Sequence, residues 1–334
     1  MTTRVVTFGE SLLRLGAPGF ERFLQSPHST ATFGGAEANV AVALCAFGVD
    51  AAYVTVLPDN NPIADAGIAE LRSFGVDTSR ILRAKGRLGI YYMEPGANQR
   101  PSRVVYDREH STMALAKPGD IDWSKVFDGA ALFHITGITP AISASAADLA
   151  LESMQTARAM KLTVSCDLNY RQSLWNWSKK AELVLNKMVG ATDILIANEE
   201  HLRKVLGLND PIEVRSLTER VLRGFPHLKA AAITLRDSNS ALQHGWSACL
   251  NDGTEFVTSR RYDISHTVDR IGSGDAFAAG LIYGWTHIPN HRDALDFAVA
   301  ASCLKHSIPG DFCRSTVEEV NALLLNGPSG RIQR

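Results

Sequence analysis

Short apolar runs alternate with longer helical stretches through the second half of the chain. Leu132–Thr136 reads as a strand, residues 143–160 as a helix with Leu149, Met154 and Ala157 among its apolar positions, and residues 162–166 as the next strand. Residues 181–188 again have helical composition, residues 194–197 form a further apolar run, a polar-faced helix follows from Asn198, and residues 231–235 make another strand. Strands separated by helix-length segments predict an α/β fold, a mostly parallel sheet flanked by crossover helices. In such sheets ligands sit beyond the carboxyl ends of the strands. Nearer the N-terminus, Val40, Val42, Leu44, Cys45 and Phe47 make a helix that is apolar on nearly every side and ends at Gly48, which predicts that it is buried.

Two segments break the alternation. Residues 11–32 form one. Residues 87–110 form the other and read as a hairpin, with Gly-Ile-Tyr-Tyr-Met at 89–93 and Arg-Val-Val-Tyr-Asp at 103–107 around a loop rich in Pro, Gly and Asn. Both are too short to be domains, so residues 1–334 are expected to form a single α/β domain carrying a small β-sheet lid. Exposed sheet edges want cover, so a homodimer or higher homo-oligomer through the lid is the expected assembly. Asn251, Asp252 and Gly253, between two short apolar runs, mark a second hairpin.

Composition narrows the function classes. The 334 residues are 45% hydrophobic and 21% charged, as in ordinary globular proteins. A formal net charge of −1 gives no electrostatic case for nucleic acid or an anionic membrane. No apolar stretch is long enough to span a bilayer. Five scattered cysteines, with no Cys-x-x-Cys pair, argue against a disulfide framework or a zinc site and favour a reducing compartment, so a cytoplasmic location is expected.

Two glycine sites carry the candidate chemistry. Gly272, Ser273 and Gly274 precede an Ala- and Phe-rich helical segment, and such a turn can aim several backbone amides at one point near the positive end of a helix. Asp275 follows at once. A carboxylate beside an anion cradle suits a phosphoryl-transfer enzyme, which must take a proton from an attacking hydroxyl. The other site, Gly34, Gly35, Ala36, Glu37, Ala38 and Asn39, opens the buried N-terminal helix. Its glycines permit close approach of a ligand, and Asn39 offers both donor and acceptor. Taken singly, either site is equally a capped and closely packed helix start. Neither a G-x-x-x-x-G-K-[ST] loop nor a Rossmann glycine fingerprint is present.

Together, the early Gly34–Asn39 segment and the late Asp269–Asp275 segment resemble the two signatures of the phosphofructokinase-B, or ribokinase-like, carbohydrate kinases. The likeness covers essentially the whole chain. It implies a ribokinase-like fold, ATP with Mg2+ as cosubstrate, a sugar site under a β-lid, Asp275 as general base and the Gly272–Gly274 amides as an anion hole. Residues 133–140 and 167–175, with Tyr106 and Arg108 in the lid hairpin, resemble the 2-keto-3-deoxygluconate kinases, which phosphorylate the 6-hydroxyl of a sugar acid. A carboxylate substrate suits an arginine fork, and Arg108 and Arg171 are the two candidates. Gly34, Gly35, Asn39, Tyr91 and Tyr106 complete the expected substrate site. Arg14 is expected to face solvent; neutral-sugar relatives often carry an Asp near this position, and its absence accords with an acidic substrate.

On the nucleotide side the resemblance points to Asn198, Thr234, Arg236, Gly272, Gly274 and Lys305, with Lys305 and Asp311 near the purine. Where many relatives have Asn-x-x-Glu, this chain has Asn198, Glu199, Glu200 and His201, so the metal ligands are left unassigned. A monovalent cation such as K+ is a further candidate cofactor. Arg270 and Ser273 replace the commoner Thr and Ala of the second signature. Two alternatives stand beside the sugar-acid kinase: a kinase for a neutral sugar or nucleoside, and a non-catalytic sugar-acid sensor on the same fold.

Overall fold

The computed structural model describes residues 3–177, 180–208, 212–238 and 240–327. Its strands, in chain order, are β1 (Arg4–Phe8), β2 (Leu12–Gly16), β3 (Thr30–Gly34), β4 (Asp50–Val54), β5 (Val56–Pro58), β6 (Leu82–Ala84), β7 (Gly89–Glu94), β8 (Arg103–Asp107), β9 (Leu132–Thr136), β10 (Thr163–Asp167), β11 (Ile194–Asn198), β12 (Ala230–Ser238), β13 (His244–Asn251), β14 (Phe256–Thr258) and β15 (Tyr262–Ile264). The main sheet runs β14-β13-β12-β11-β10-β9-β1-β4, with β15 also against β13. Every pairing from β4 to β12 is parallel, and β13 turns the sheet antiparallel at one end. The second expected hairpin is the β13–β14 pair.

Parallel strands are covered on both faces, which is why they read as continuous apolar runs. β9 is buried at all five positions. Successive residues still part company by face: Phe133 and Ile135 join a core with the helix Ala144–Ala159, whereas Leu132 joins a second core with the helices Ala36–Ala46, Ser273–His287 and His291–Lys305. The expected helix at 143–160 spans Ala144–Ala159, with Ser143 as its N-cap accepting from the amide of Ala146. Ala36–Ala46 is buried from Glu37 through Leu44, as its unbroken apolar character requires. No described helix is long and apolar enough to cross a membrane.

A separate four-stranded sheet runs β3-β2-β7-β8, its strand β2 following the carboxyl end of β1 in the chain. Residues 11–32 supply β2 and most of β3, and the hairpin at 87–110 supplies β7 and β8. Tyr91 pairs with Tyr106 across that hairpin. The inward face of this sheet carries Leu12, Tyr91 and Met93, packed with Val104, Tyr106 and Ile271, so the lid touches the segment that bears the second glycine turn.

Candidate active site

Two helix starts meet at the centre of the site. The helix Ser273–His287 begins at Gly272, whose φ of 79° lies in the left-handed region and whose missing side chain makes room for the backbone carbonyl of Asp311. The helix Ala36–Ala46 begins after Gly35, where a Cβ would run into the carbonyl of Glu10. The two helices pack together, and Asn39 Nδ2 donates to Asp275 Oδ2 at 2.6 Å across 236 residues of sequence. Both side chains are buried. Burial pushes the Asp275 carboxyl up to about 6, against the pull of the Asn39 hydrogen bond and the Arg171 charge. It is therefore ionised at neutral pH with a basicity suited to accepting a proton.

The turn beside it differs from expectation in one donor. The amide of Ser273 turns back to the carbonyl of Arg270 at 3.3 Å, and the Ser273 carbonyl accepts from Ser302. The amides of Gly272, Gly274 and Asp275 donate to no protein acceptor among the described residues. The amides left open to an anion are thus those of Gly272, Gly274 and Asp275, where Gly272–Gly274 were expected, as in an unsatisfied first helical turn.

Two cavities meet at these residues. A cleft of about 920 Å³ is lined by Asn198, Thr234, Arg236 and the Gly272–Asp275 turn. A pocket of about 60 Å³ under the lid is lined by Gly35, Asn39, Tyr91, Tyr106 and Arg108. Arg171, Ile271, Gly272 and Asp275 border both, so Asp275 stands where the contents of the two would touch.

Several expected residues have other positions. Gly34 does not line the pocket; its missing side chain is where the Asp311 carboxylate packs. Lys305 does not line the cleft. It is fully buried behind the turn, donating from Nζ to the carbonyl of Ile308 at 2.9 Å and, more distantly, to that of Asp269 at 3.5 Å. Arg14 is not at the surface: it donates to Asp311 at 2.8 Å and to Asp269 at 2.6 Å, tying lid strand β2 to the segments flanking the turn. Asp311 accordingly lies in the pocket under the lid and not near a purine, where it also accepts from Tyr91 Oη at 2.6 Å.

The two candidate clamp arginines are unlike each other. Arg108 pairs with Glu10, donating from Nε at 2.7 Å, and Ser111 caps the same carboxylate. Arg171 donates to Tyr106 Oη at 2.9 Å and to Asn169, and forms no ion pair among the described residues. Glu10 and Glu37 were missed by sequence reading. Glu37 is wholly buried, accepting from the Thr136 amide and from the hydroxyls of Thr136 and Thr139, and burial pushes it up to about 7. Its only signal was a charged residue inside an otherwise apolar helix. Asp167, at the end of β10, is likewise pushed up to about 7 by burial, with the Asp275 charge adding to the effect.

Asn198 caps the helix Glu199–Val205, accepting from the amide of His201 at 2.7 Å. His201 packs on Tyr170 and is held neutral by burial and the nearby Arg171. Glu199 and Glu200 border the cleft. No group of three or more His, Cys, Asp or Glu able to hold a metal occurs among the described residues. This donor set fits a magnesium ion carried by nucleotide phosphates and water with one or two protein carboxylates, rather than a protein cage.

The model of pfkB family carbohydrate kinases matches residues 2–311. The chain belongs to that family. A 2-dehydro-3-deoxygalactonokinase of Haloferax volcanii is 33% identical over 99% of both chains, and a 2-dehydro-3-deoxygluconokinase of Bacillus subtilis is 26% identical over 93% of this chain and 92% of its own. Among solved structures, a 2-dehydro-3-deoxygluconokinase of Thermotoga maritima superposes with a TM-score of 0.92 at 45% identity, covering 97% of this chain and 98% of that one. The fold is thus ribokinase-like, and membership implies a kinase that uses ATP and a divalent metal.

Proposed function

We propose that this carbohydrate kinase transfers the terminal phosphoryl group of ATP to the 6-hydroxyl of 2-keto-3-deoxygluconate, giving 2-keto-3-deoxy-6-phosphogluconate and ADP. The observation that carries this reading is the placement of Asp275 between a nucleotide-sized cleft and a lidded pocket that holds Arg171 without a carboxylate partner. The names of the relatives support the substrate class.

In this reading the sugar acid binds under the lid with its carboxylate on Arg171 and Tyr106, and its 6-hydroxyl reaches Asp275. Lid closure excludes water and sets the hydroxyl in line with the phosphorus. The hydroxyl oxygen forms the new bond to phosphorus, the bond to the β–γ bridging oxygen breaks, and its electron pair leaves with ADP. Asp275 Oδ accepts the hydroxyl proton, while Asn39 keeps that carboxylate aimed. The free amides of Gly272, Gly274 and Asp275 stabilise charge on the moving group. A magnesium ion held beside Glu200, and by Glu199 if it released Arg203, would neutralise charge on the phosphates. Our reading gives the positive charge behind the turn to the Lys305 ammonium instead of to K+, so rates should match in potassium, sodium and Tris buffers.

ADP release is to be measured against 2-keto-3-deoxygluconate, 2-keto-3-deoxygalactonate, fructose and ribose, with and without Mg2+. Turnover only with sugar acids supports the proposal; preference for fructose or ribose, or binding without turnover, removes it. The galactonate epimer belongs in the panel because a relative at 33% identity bears that name. We further propose a cytoplasmic homodimer joined through the lid, whose segments carry the exposed apolar residues Phe20 and Leu24, between β2 and β3, and Val105 on the edge strand β8. A monomer in light scattering at micromolar concentration would dismiss that assembly.

A further inference from the structure

Four arginines line the nucleotide cleft: Arg171, Arg203, Arg236 and Arg270. Three are engaged. Arg171 bonds Tyr106 and Asn169, Arg203 pairs with Glu199, and Arg236 lies against His244 Nε2 at 3.2 Å and over the Trp246 ring. Arg270 is different. Its side chain is half-buried, yet it makes no hydrogen bond and no ion pair among the described residues. Of the nearby carboxylates, Asp269 binds Arg14 and Asp275 accepts from Asn39. The charges that bear on Arg270 are of its own sign: Arg171 opposes its ionisation, and Arg270 in turn opposes that of Arg236 and His244.

A guanidinium kept partly out of water among like charges is costly unless an anion arrives. Position says which anion. The Arg270 carbonyl accepts from the Ser273 amide, which fixes Arg270 at the mouth of the turn whose remaining amides are unsatisfied. The side chain borders both the cleft and a crevice between the lid loop at 95–102 and the segment 267–270. It therefore stands beside the place that a phosphoryl group must occupy for Asp275 to take the proton of the attacking hydroxyl.

We propose that Arg270 grips the terminal phosphoryl group of ATP and neutralises the charge on its peripheral oxygens during transfer. A planar fork of donors suits two such oxygens at once. Arg270 exchanges no proton in this step: the hydroxyl proton goes to Asp275, and the electron pair of the broken oxygen–phosphorus bond leaves with ADP. The proposal draws on the family's ATP chemistry and not on which sugar is phosphorylated, so its test needs no sugar.

Binding of the non-transferable analogue β,γ-methylene-ATP and of ADP is to be measured by calorimetry with Mg2+ present, for the parent, Arg270→Gln and Arg270→Lys. The expected result is that Arg270→Gln weakens the triphosphate analogue by roughly 10- to 100-fold, as for loss of a charge-assisted contact, and leaves ADP within about threefold. Arg270→Lys should restore part of the loss. Because the parent side chain makes no hydrogen bond or ion pair among the described residues, thermal unfolding of both variants should stay close to that of the parent. Equal weakening of triphosphate and diphosphate, or no weakening of either, overturns the assignment.

Discussion

Replacing Asn39 by Leu tests whether the hydrogen bond between the two helix starts tunes the base. Leu keeps the branched outline of Asn with added bulk and removes the donor, so Asp275 loses its partner at 2.6 Å in a buried site where water cannot readily substitute. A hydrogen bond to a charged acceptor is worth about 1.5–3 kcal/mol, and one pH unit corresponds to about 1.4 kcal/mol, so the Asp275 carboxyl should titrate about one to two pH units higher. Its starting point is about 6, already raised by burial. Asp275 works deprotonated, so activity is present above its pKa and lost as pH falls through it. In the variant that acid limb moves towards and past neutrality, costing about two- to tenfold in kcat at pH 7 with recovery near pH 9. The assay is kcat for ADP release from about pH 5 to 9.5 at saturating ATP and sugar acid. An acid limb left in place, or a loss of equal size at every pH, would refute the assignment of Asn39 as the residue that holds the base ionised.

Asp275→Ala should lower kcat by roughly 10²–10⁴-fold while leaving nucleotide binding nearly intact, and a kcat within a few-fold of the parent would remove Asp275 as the base. Asp275→Asn should also raise the melting temperature relative to the parent. Because burial raises the Asp275 pKa in the folded state, the stability tied to its protonated form is full at low pH and lost as pH rises through about 6, so the gain should be larger at pH 8 than at pH 5. A gain that does not depend on pH would contradict this. Arg171→Ala should raise KM for the sugar acid by about tenfold or more at unchanged fold stability. Arg108→Ala should instead destabilise the fold, since it strands the buried Glu10 carboxylate, at a cost of about 3–5 kcal/mol for a broken buried pair. Urea unfolding and steady-state kinetics on the two variants separate the roles, and equal effects on KM with no loss of stability for Arg108 would overturn the distinction.

How far the sequence could be read depended on whether a residue's role was local. The strands β9 to β12 and the helices between them were legible because each is a run of apolar residues long enough to have a period. β1 and β4 were not read as strands, although they are buried in the same sheet; Thr7 interrupts β1, and only the structure shows its hydroxyl donating to the carbonyl of Glu37. The helix His291–Lys305 also went unread. The position of Asp275 in a cleft was legible because it follows from its own turn. Arg14, Gly34, Lys305 and Asp311 were misplaced because each answers to a partner far along the chain: Arg14 bonds residues 255 and 297 positions away. No local pattern encodes such a pairing. The same holds for Glu10, whose partner Arg108 was singled out as a substrate ligand when it is first a counter-ion.

That distinction changes the case for an acidic substrate. The absence of an Asp from strand β2 does not leave the pocket free of acids, since Asp311 arrives from the far end of the chain. What matters is the sum of charges that remain after pairing. Asp311 is met by Arg14 and Tyr91, and Glu10 by Arg108 and Ser111. Glu37, pushed up to about 7, spends its acceptors on Thr136 and Thr139. Arg171 alone keeps a full charge on the pocket wall with only neutral hydrogen-bond partners. The carboxylates of Asp275 and Asp167 act on Arg171 only from a distance, so a neutral sugar would leave its donors without a carboxylate partner in contact, whereas a sugar acid supplies one. Discrimination should therefore rest on Arg171 and weaken when it is neutralised, even though every other ionised group under the lid is untouched.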